Sequence, residues 1–93
     1  MQKWTQDEAI DYECARETIT HLHAILTNQS YEESRKPHPN AELLERWDAE
    51  ISRIFRERAK LDIHDHAEIA RIRTEYGARI RAWNAECPDE KQT

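Results

Sequence analysis

Apolar residues recur every three or four positions in three separate stretches of the chain. The first stripe, with spacings of 3-4-3-4, consists of Tyr12, Ala15, Ile19, Leu22 and Leu26. The second stripe consists of Leu44, Trp47, Ile51, Ile54 or Phe55, and Leu61. The third stripe consists of Ile69, Ile72, Tyr76, Ile80, Trp83 and Cys87. Such spacing places side chains on one face of an α-helix, so the pattern predicts three amphipathic helices.

Short polar motifs mark the expected start of each helix. Thr5 and Glu8 have the spacing of a capping box, in which each side chain bonds to the backbone N–H of the other residue. Asn40 is a good N-cap for the second helix, and Asp65 with Glu68 repeats the capping-box spacing before the third. We expect helices over about residues 5–27, 41–61 and 65–87, followed by a frayed tail over residues 88–93 after Pro88.

Residues 28–40 separate the first two helices and include Pro37 and Pro39. Proline lacks a backbone N–H and disfavours helical conformation in the residue before it, so a continuous helix cannot cross this segment. A structureless segment of this kind can be a recognition loop or a plain connector. The connector is the favoured interpretation.

Composition supports an all-α fold. The chain has no valine and one glycine, whereas strands favour β-branched residues and all-β folds need turn glycines. Alanine, glutamate, arginine and leucine, all strong helix formers, are abundant instead. We expect a single helical domain over residues 1–93. Its architecture is a three-helix bundle, or a helical hairpin with the first helix packed across it.

The expected core is thin. Leu, Ile, Val and Phe together make up 15 of the 93 residues, and small domains with little apolar area often gain stability from self-association or a partner. Dimerisation could therefore complete the core. An alternative architecture is a dimer whose core is built from two hairpins of helices 2 and 3.

Some locations and covalent features are not expected. No stretch approaches the ~20 apolar residues of a transmembrane helix, and the first residues lack the apolar segment of a signal peptide. Two cysteines do not make a disulfide framework, so we expect a cytoplasmic protein that does not enter a membrane. Cys14 and Cys87 are expected to be small apolar core residues at opposite ends of the bundle.

Charge is distributed unevenly around a net value of −5. Residues 1–34 carry two basic and seven acidic residues, whereas residues 35–61 carry seven basic and five acidic residues. Parts of helices 2 and 3 are locally basic because of Arg53, Arg56, Arg58, Lys60, Arg71, Arg73, Arg79 and Arg81. Phosphate contacts need clustered basic residues, so nucleic-acid binding by these arginines is an alternative function. Interleaved glutamates and the acidic net charge make it less favoured than protein binding.

Arg58 falls inside the apolar stripe of the second helix, close to Trp47, Ile51 and Ile54 on a helical wheel. A charge at a core position needs a partner or an exit to water. It is therefore an interface arginine, or its stem lies on the core while the guanidinium reaches solvent. The second interpretation is favoured, because charged residues are rarely fully buried unless paired.

The third helix has a second face of small residues, which are Ala67, Ala70, Thr74, Gly77, Ala78, Ala82 and Ala85. Small side chains let another backbone approach closely, although alanine is also a good surface residue for a helix. Gly77 costs about 1 kcal/mol relative to alanine in mid-helix, which favours a contact here. The predicted partner-binding residues are Arg58, Ala70, Arg73, Thr74, Gly77, Ala78 and Arg81.

The histidines do not predict a metal site. The pairs His21 with His23 and His64 with His66 are spaced by two residues, whereas two ligands on one helix face are three or four apart. The stretch from His64 to His66 lies in an expected turn and could chelate, but exposed polar side chains are favoured. The cysteines lack CxxC spacing, and we expect no metal and no cofactor.

Sequence motifs of enzymes are also missing. One glycine cannot build a phosphate-binding loop, and there is no Gly-x-Ser-x-Gly motif. The carboxylates are expected to form solvated helix faces with pairs such as Glu42 and Arg46. A small helical enzyme or metal protein with a site between subunits is the least favoured hypothesis.

The leading functional hypothesis is a non-enzymatic protein-binding module that acts as an adaptor, a regulator or an inhibitor. Its expected partner is another protein, and a homodimer is a further option. An inhibitor encoded by a phage or mobile element would fit this size and acidity, as would many small bacterial proteins.

Overall fold

The computed structural model describes residues 4–86, which form three α-helices and no strand. Helix α1 spans Gln6–Ser34, α2 spans Ala41–Lys60 and α3 spans His66–Glu86. Helix α1 packs against both α2 and α3, which confirms the predicted three-helix bundle. None of these helices combines the length and apolar character needed to cross a membrane. Cys87 and the expected tail over 88–93 lie outside the described residues.

The start of α3 lies beside the start of α1. Arg73 Nη1 is 3.0 Å from Asp11 Oδ1, and His66 Nε2 is 2.6 Å from Glu8 Oε2. Helices α1 and α3 therefore run in the same direction, and α2 returns between them in the chain. This is the up-down-up order of a bundle with short connections.

The predicted caps are present at all three helix starts. The backbone N–H of Thr5 donates to Glu8 Oε1 at 2.9 Å, and the N–H of Glu8 donates to Thr5 Oγ1 at 3.0 Å. Asn40 Oδ1 accepts from the N–H of Leu43, and Asp65 Oδ1 accepts from the N–H of Glu68. Each bond satisfies a backbone donor that has no partner within its own helix.

The predicted end of helix 1 near residue 27 is wrong, because α1 continues to Ser34. The connector is accordingly residues 35–40 and not 28–40. Glu33 is buried, and its carboxylate accepts from the backbone N–H of Asn40 at 3.0 Å and from Lys36 Nζ at 2.9 Å. These bonds fold the connector back onto the last turn of α1.

All three helices contribute to the apolar core. Its buried members are Ala15, Ile19, Leu22, Ile25, Leu26, Ile54, Ile69, Ile72, Tyr76 and Ile80. Around it pack the partly buried residues Tyr12, Trp47, Ile51, Leu61 and Trp83. Helix α1 supplies half of the buried set, so α2 and α3 do not build this core by themselves. The apolar spacing left open whether Ile54 or Phe55 belongs to the core. Ile54 is fully buried, whereas Phe55 is 46% exposed.

Helices α2 and α3 are joined by a row of charged side chains, which we call the α2–α3 ion-pair row. Arg79 donates to both carboxylate oxygens of Glu50, at 2.6 and 3.0 Å. Glu57 Oε1 accepts from the hydroxyl of Tyr76 at 2.6 Å and from Arg71 at 3.3 Å. The apolar core therefore lies along α1, and polar contacts bridge its two neighbours.

Candidate functional site

An open groove lies between the outer edges of α1 and α3, with a volume of about 440 Å³. We call it the α1–α3 groove. It is lined by Cys14, Glu17, Thr18, His21, Arg73, Gly77, Ile80 and Arg81. Its α1 side repeats at intervals of three and four residues because one helical face forms that wall. It combines small and apolar side chains with charges of both signs.

Gly77 and Arg81 shape the α3 wall of this groove. A Cβ atom added at Gly77 would lie 3.4 Å from Arg81 Nη1, with no closer neighbour. The Arg81 guanidinium therefore folds back over the glycine one turn earlier. Arg73 is held differently, because its guanidinium pairs with Asp11 of α1 at 3.0 Å. Among residues 4–86, Arg81 forms no ion pair on this wall.

Most of the predicted partner-binding residues come together on this side of the molecule. Four of them, Ala70, Arg73, Thr74 and Arg81, line a depression of about 400 Å³ along α3. Arg73 and Arg81 belong to both surfaces and join the depression to the groove. Ala78 is exposed on α3 but lines neither of them.

Arg58 does not belong to this group. It is partly buried on α2, and its guanidinium carbon lies 5.8 Å from the ring centre of Phe55. The Phe55 ring in turn packs against His23 of α1, with ring centres 4.4 Å apart. The Nε atom of Arg58 is buried without a hydrogen-bond partner in the described part of the chain. The predicted site is therefore divided between two surfaces.

Sequence reasoning missed the α1 wall of the groove. Cys14 is half-buried at the groove and lies outside the core cluster, which corrects its assignment as a core residue. Glu17, Thr18 and His21 continue the same edge. The spacing of these four residues was visible in the sequence, but nothing there showed that α3 would lie beside this edge.

The arginines considered for nucleic-acid binding are largely neutralised by carboxylates. Arg53 pairs with Glu50 and Glu57. Arg71 pairs with Glu57, Glu68 and Glu75. Both arginines lie in the α2–α3 ion-pair row. The hydrogen bond from Arg79 lowers the pKa of Glu50, and the hydrogen bond to Glu68 raises the pKa of Arg71. Each of these guanidinium groups thus already donates to carboxylates of this chain. By contrast, the expected pair between Glu42 and Arg46 does not form within residues 4–86.

The two histidine pairs behave differently: the members of the first pair lie on different surfaces, and those of the second approach one carboxylate oxygen. His21 lines the α1–α3 groove, whereas His23 lies against Phe55. His66 and His64 approach Glu8 Oε2 at 2.6 and 3.6 Å. The Thr5 backbone N–H, followed by the His66 contact, lowers the pKa of Glu8. No group of three or more His, Cys, Asp or Glu side chains in residues 4–86 is arranged to hold a metal ion.

Comparison with protein-family models, with curated proteins and with solved structures gives no match. The α1–α3 groove contains three of the predicted partner-binding residues, Arg73, Gly77 and Arg81. It offers a concave surface with Gly77 on its α3 wall, where a side chain is missing. Charged side chains at its rim can set the orientation of what binds.

Proposed function

We propose that this chain is a non-enzymatic protein-binding module, acting as an adaptor, a regulator or an inhibitor, that receives a helix of another chain in the α1–α3 groove. The supporting observation is the groove itself, in which Gly77 removes a side chain from the α3 wall. An amphipathic helix lying in a groove is a recurrent mode of protein recognition. The lining combines polar and apolar side chains, as protein–protein interfaces do.

Nucleic-acid binding has less support. Arg53, Arg71, Arg73 and Arg79 are engaged with carboxylates on this chain. Breaking those pairs would leave uncompensated acidic groups next to the phosphates, which opposes binding.

Site-specific photo-crosslinking tests the proposed function. A benzophenone amino acid replaces Thr74, which is exposed beside the groove, and in a matched control it replaces Arg56, which is exposed on α2. We expect a discrete protein adduct from position 74 in the source cells and none from position 56.

The same experiment is repeated in two variants of Gly77. Gly77→Trp fills the groove and should abolish the adduct, whereas Gly77→Ala adds only a methyl group and should preserve it. Circular dichroism checks that both variants remain helical. The same adducts from positions 74 and 56, or an adduct that survives Gly77→Trp, would contradict the proposal.

A further inference from the structure

We infer that the occupant of the α1–α3 groove is a second copy of this chain, related by a two-fold axis that passes through the groove. This inference rests on the proposed function, because it names the partner at the same surface. The observation that carries it is the arrangement of opposite charges on the two walls. Glu17 lies on the α1 wall and Arg81 on the α3 wall.

Neither of these two charges is paired with another charge among residues 4–86. Glu17 and Arg81 are both exposed, and neither takes part in an ion pair among residues 4–86. Charged residues nearby behave differently, since Arg73 is paired with Asp11 and Arg16 is paired with Glu13. The groove thus presents one unpaired carboxylate and one unpaired guanidinium, on opposite walls.

A two-fold axis that runs along the groove, parallel to α1 and α3, makes this arrangement self-complementary. The rotation places α1 of each copy over α3 of the other. Glu17 of one copy then faces Arg81 of the other, and the same contact forms a second time. Isologous interfaces require such a reciprocal pattern, because one surface meets itself. A surface with a single sign of charge would repel its own copy.

The positions of Glu17 and Arg81 along their helices agree with this geometry. Asp11 of α1 lies beside Arg73 of α3, and the two helices run in the same direction. Advancing along both helices from that contact brings Glu17 and Arg81 to nearly the same height, because each residue rises ~1.5 Å. An axis along the groove runs between Cys14 and Thr18 on one wall and Gly77 and Ile80 on the other, which leaves small and apolar groups at the centre.

The molecule is large enough for such an interface. Its extents are 56 × 30 × 19 Å, and α1 alone has 29 residues. The 21 residues of α3 correspond to a length of ~30 Å at ~1.5 Å per residue, over which a second pair of helices could pack. Ile10, which is 52% exposed one turn before Cys14 on the same edge of α1, extends the apolar surface available.

Charge-reversal variants test the reciprocal pair. Glu17→Arg places two arginines opposite each other at both contacts, and Arg81→Glu does the same with two glutamates. We expect each variant alone to dimerise at least about 10-fold more weakly than the wild type, since like charges at an interface are strongly unfavourable. When the two variants are mixed, both contacts become Arg–Glu pairs, and a heterodimer should form.

Sedimentation velocity of the full chain, with one variant fluorescently labelled, measures these species. The control pair is Glu45→Arg with Arg56→Glu, whose positions are exposed on α2 away from the groove. These variants carry the same changes in net charge, and each should dimerise like the wild type. Heterodimer formation by the groove variants, together with wild-type behaviour of the controls, supports the inference.

Three results would overturn the inference. The first is a wild type that stays monomeric at concentrations up to about 1 mM, the weak end of specific association. The others are unchanged dimerisation of each single variant and a mixture of the groove variants that stays monomeric. These failures are distinct from failure of the proposed function. A monomer that still gives a foreign-protein adduct at position 74 retains the binding module and loses the self-association. A chain that gives neither dimer nor adduct loses both.

Discussion

Gly77 is the single glycine of the chain and lies in the middle of α3, where its backbone is ordinary. No residue in the described part of the chain, glycine or not, has a positive φ. The conformational freedom of glycine is therefore not used at this position. What the glycine provides is space, because a side chain there would point at Arg81 in the groove wall.

Gly77→Ala should stabilise the isolated chain. Alanine is better than glycine inside a helix by about 1 kcal/mol, and the new methyl group would meet only the tip of a flexible arginine at 3.4 Å. We expect the free energy of unfolding to rise by roughly 0.5–1 kcal/mol, measured by urea denaturation. Ala78→Gly, at the exposed neighbour, is the matched reversal and should lower stability by a similar amount. A loss of stability in Gly77→Ala would mean that the α3 wall cannot yield even to a methyl group.

Ile54 and Phe55 show what residue-level reasoning can decide. Both fit the apolar stripe of α2, and the spacing alone leaves the choice open. The structure buries Ile54 completely and leaves Phe55 on His23 at the surface. The difference depends on the rotation of α2 about its axis against α1, which the sequence of α2 alone does not contain.

The two ends of α1 illustrate which element boundaries are predictable. Its start is marked by the capping box of Thr5 and Glu8, whose partners are three residues apart and hence visible in the sequence. Its end is sustained by a bond from the Asn40 backbone to Glu33. The last turns contain polar residues with little apolar periodicity, so a contact made across the connector extends the helix beyond the predicted end.

The end of α1 should be sensitive to acid. Hydrogen bonds from Lys36 and from the Asn40 backbone lower the pKa of Glu33 below its usual value. A carboxylate with a lowered pKa contributes stability above its unfolded pKa of about 4.3, and this contribution is lost as pH falls through its folded pKa. Unfolding midpoints measured in urea between about pH 7 and pH 2.5 should therefore fall at acid pH.

Glu33→Gln should make this acid profile shallower. Glutamine retains an oxygen that can accept from the Asn40 N–H but cannot ionise. Glu45→Gln is the control, because Glu45 is exposed on α2 and makes no side-chain hydrogen bond within residues 4–86. An acid profile of Glu33→Gln that matches both the wild type and this control would show that the Glu33 contacts do not favour its charged form.

At the scale of the whole molecule, α1 packs against both other helices and so holds the bundle together. The sequence could predict only part of this fold and of the groove on it. The all-α class, the number of helices and their starts follow from local spacing and caps. The α1–α3 groove does not, because it forms from two helix edges distant in sequence. The α3 wall was predicted from its small residues, whereas the α1 wall became recognisable only once α3 was placed beside it.

The contact between α2 and α3 is expected to depend on salt. The α2–α3 ion-pair row includes a two-oxygen contact between Glu50 and Arg79, at 2.6 and 3.0 Å, and both side chains are partly exposed. Exposed pairs of this type contribute about 0.2–1 kcal/mol. They weaken as salt shortens the screening length from ~10 Å at 0.1 M to ~3 Å at 1 M.

A double-mutant cycle isolates this contribution at the scale of the molecule. The single variants Glu50→Ala and Arg79→Ala and their combination should give a coupling energy of about 0.5–1 kcal/mol in 20 mM salt, from urea denaturation, and a value near zero in 1 M salt. The control cycle uses Glu42 and Arg46, which are one turn apart on α2 but unpaired within residues 4–86, and its coupling should be smaller. Coupling between Glu50 and Arg79 that persists in 1 M salt would instead mean that the pair is shielded from solvent and holds α2 on α3 by more than surface electrostatics. Because the apolar core lies along α1, the helices should remain folded in high salt even where this pair no longer contributes.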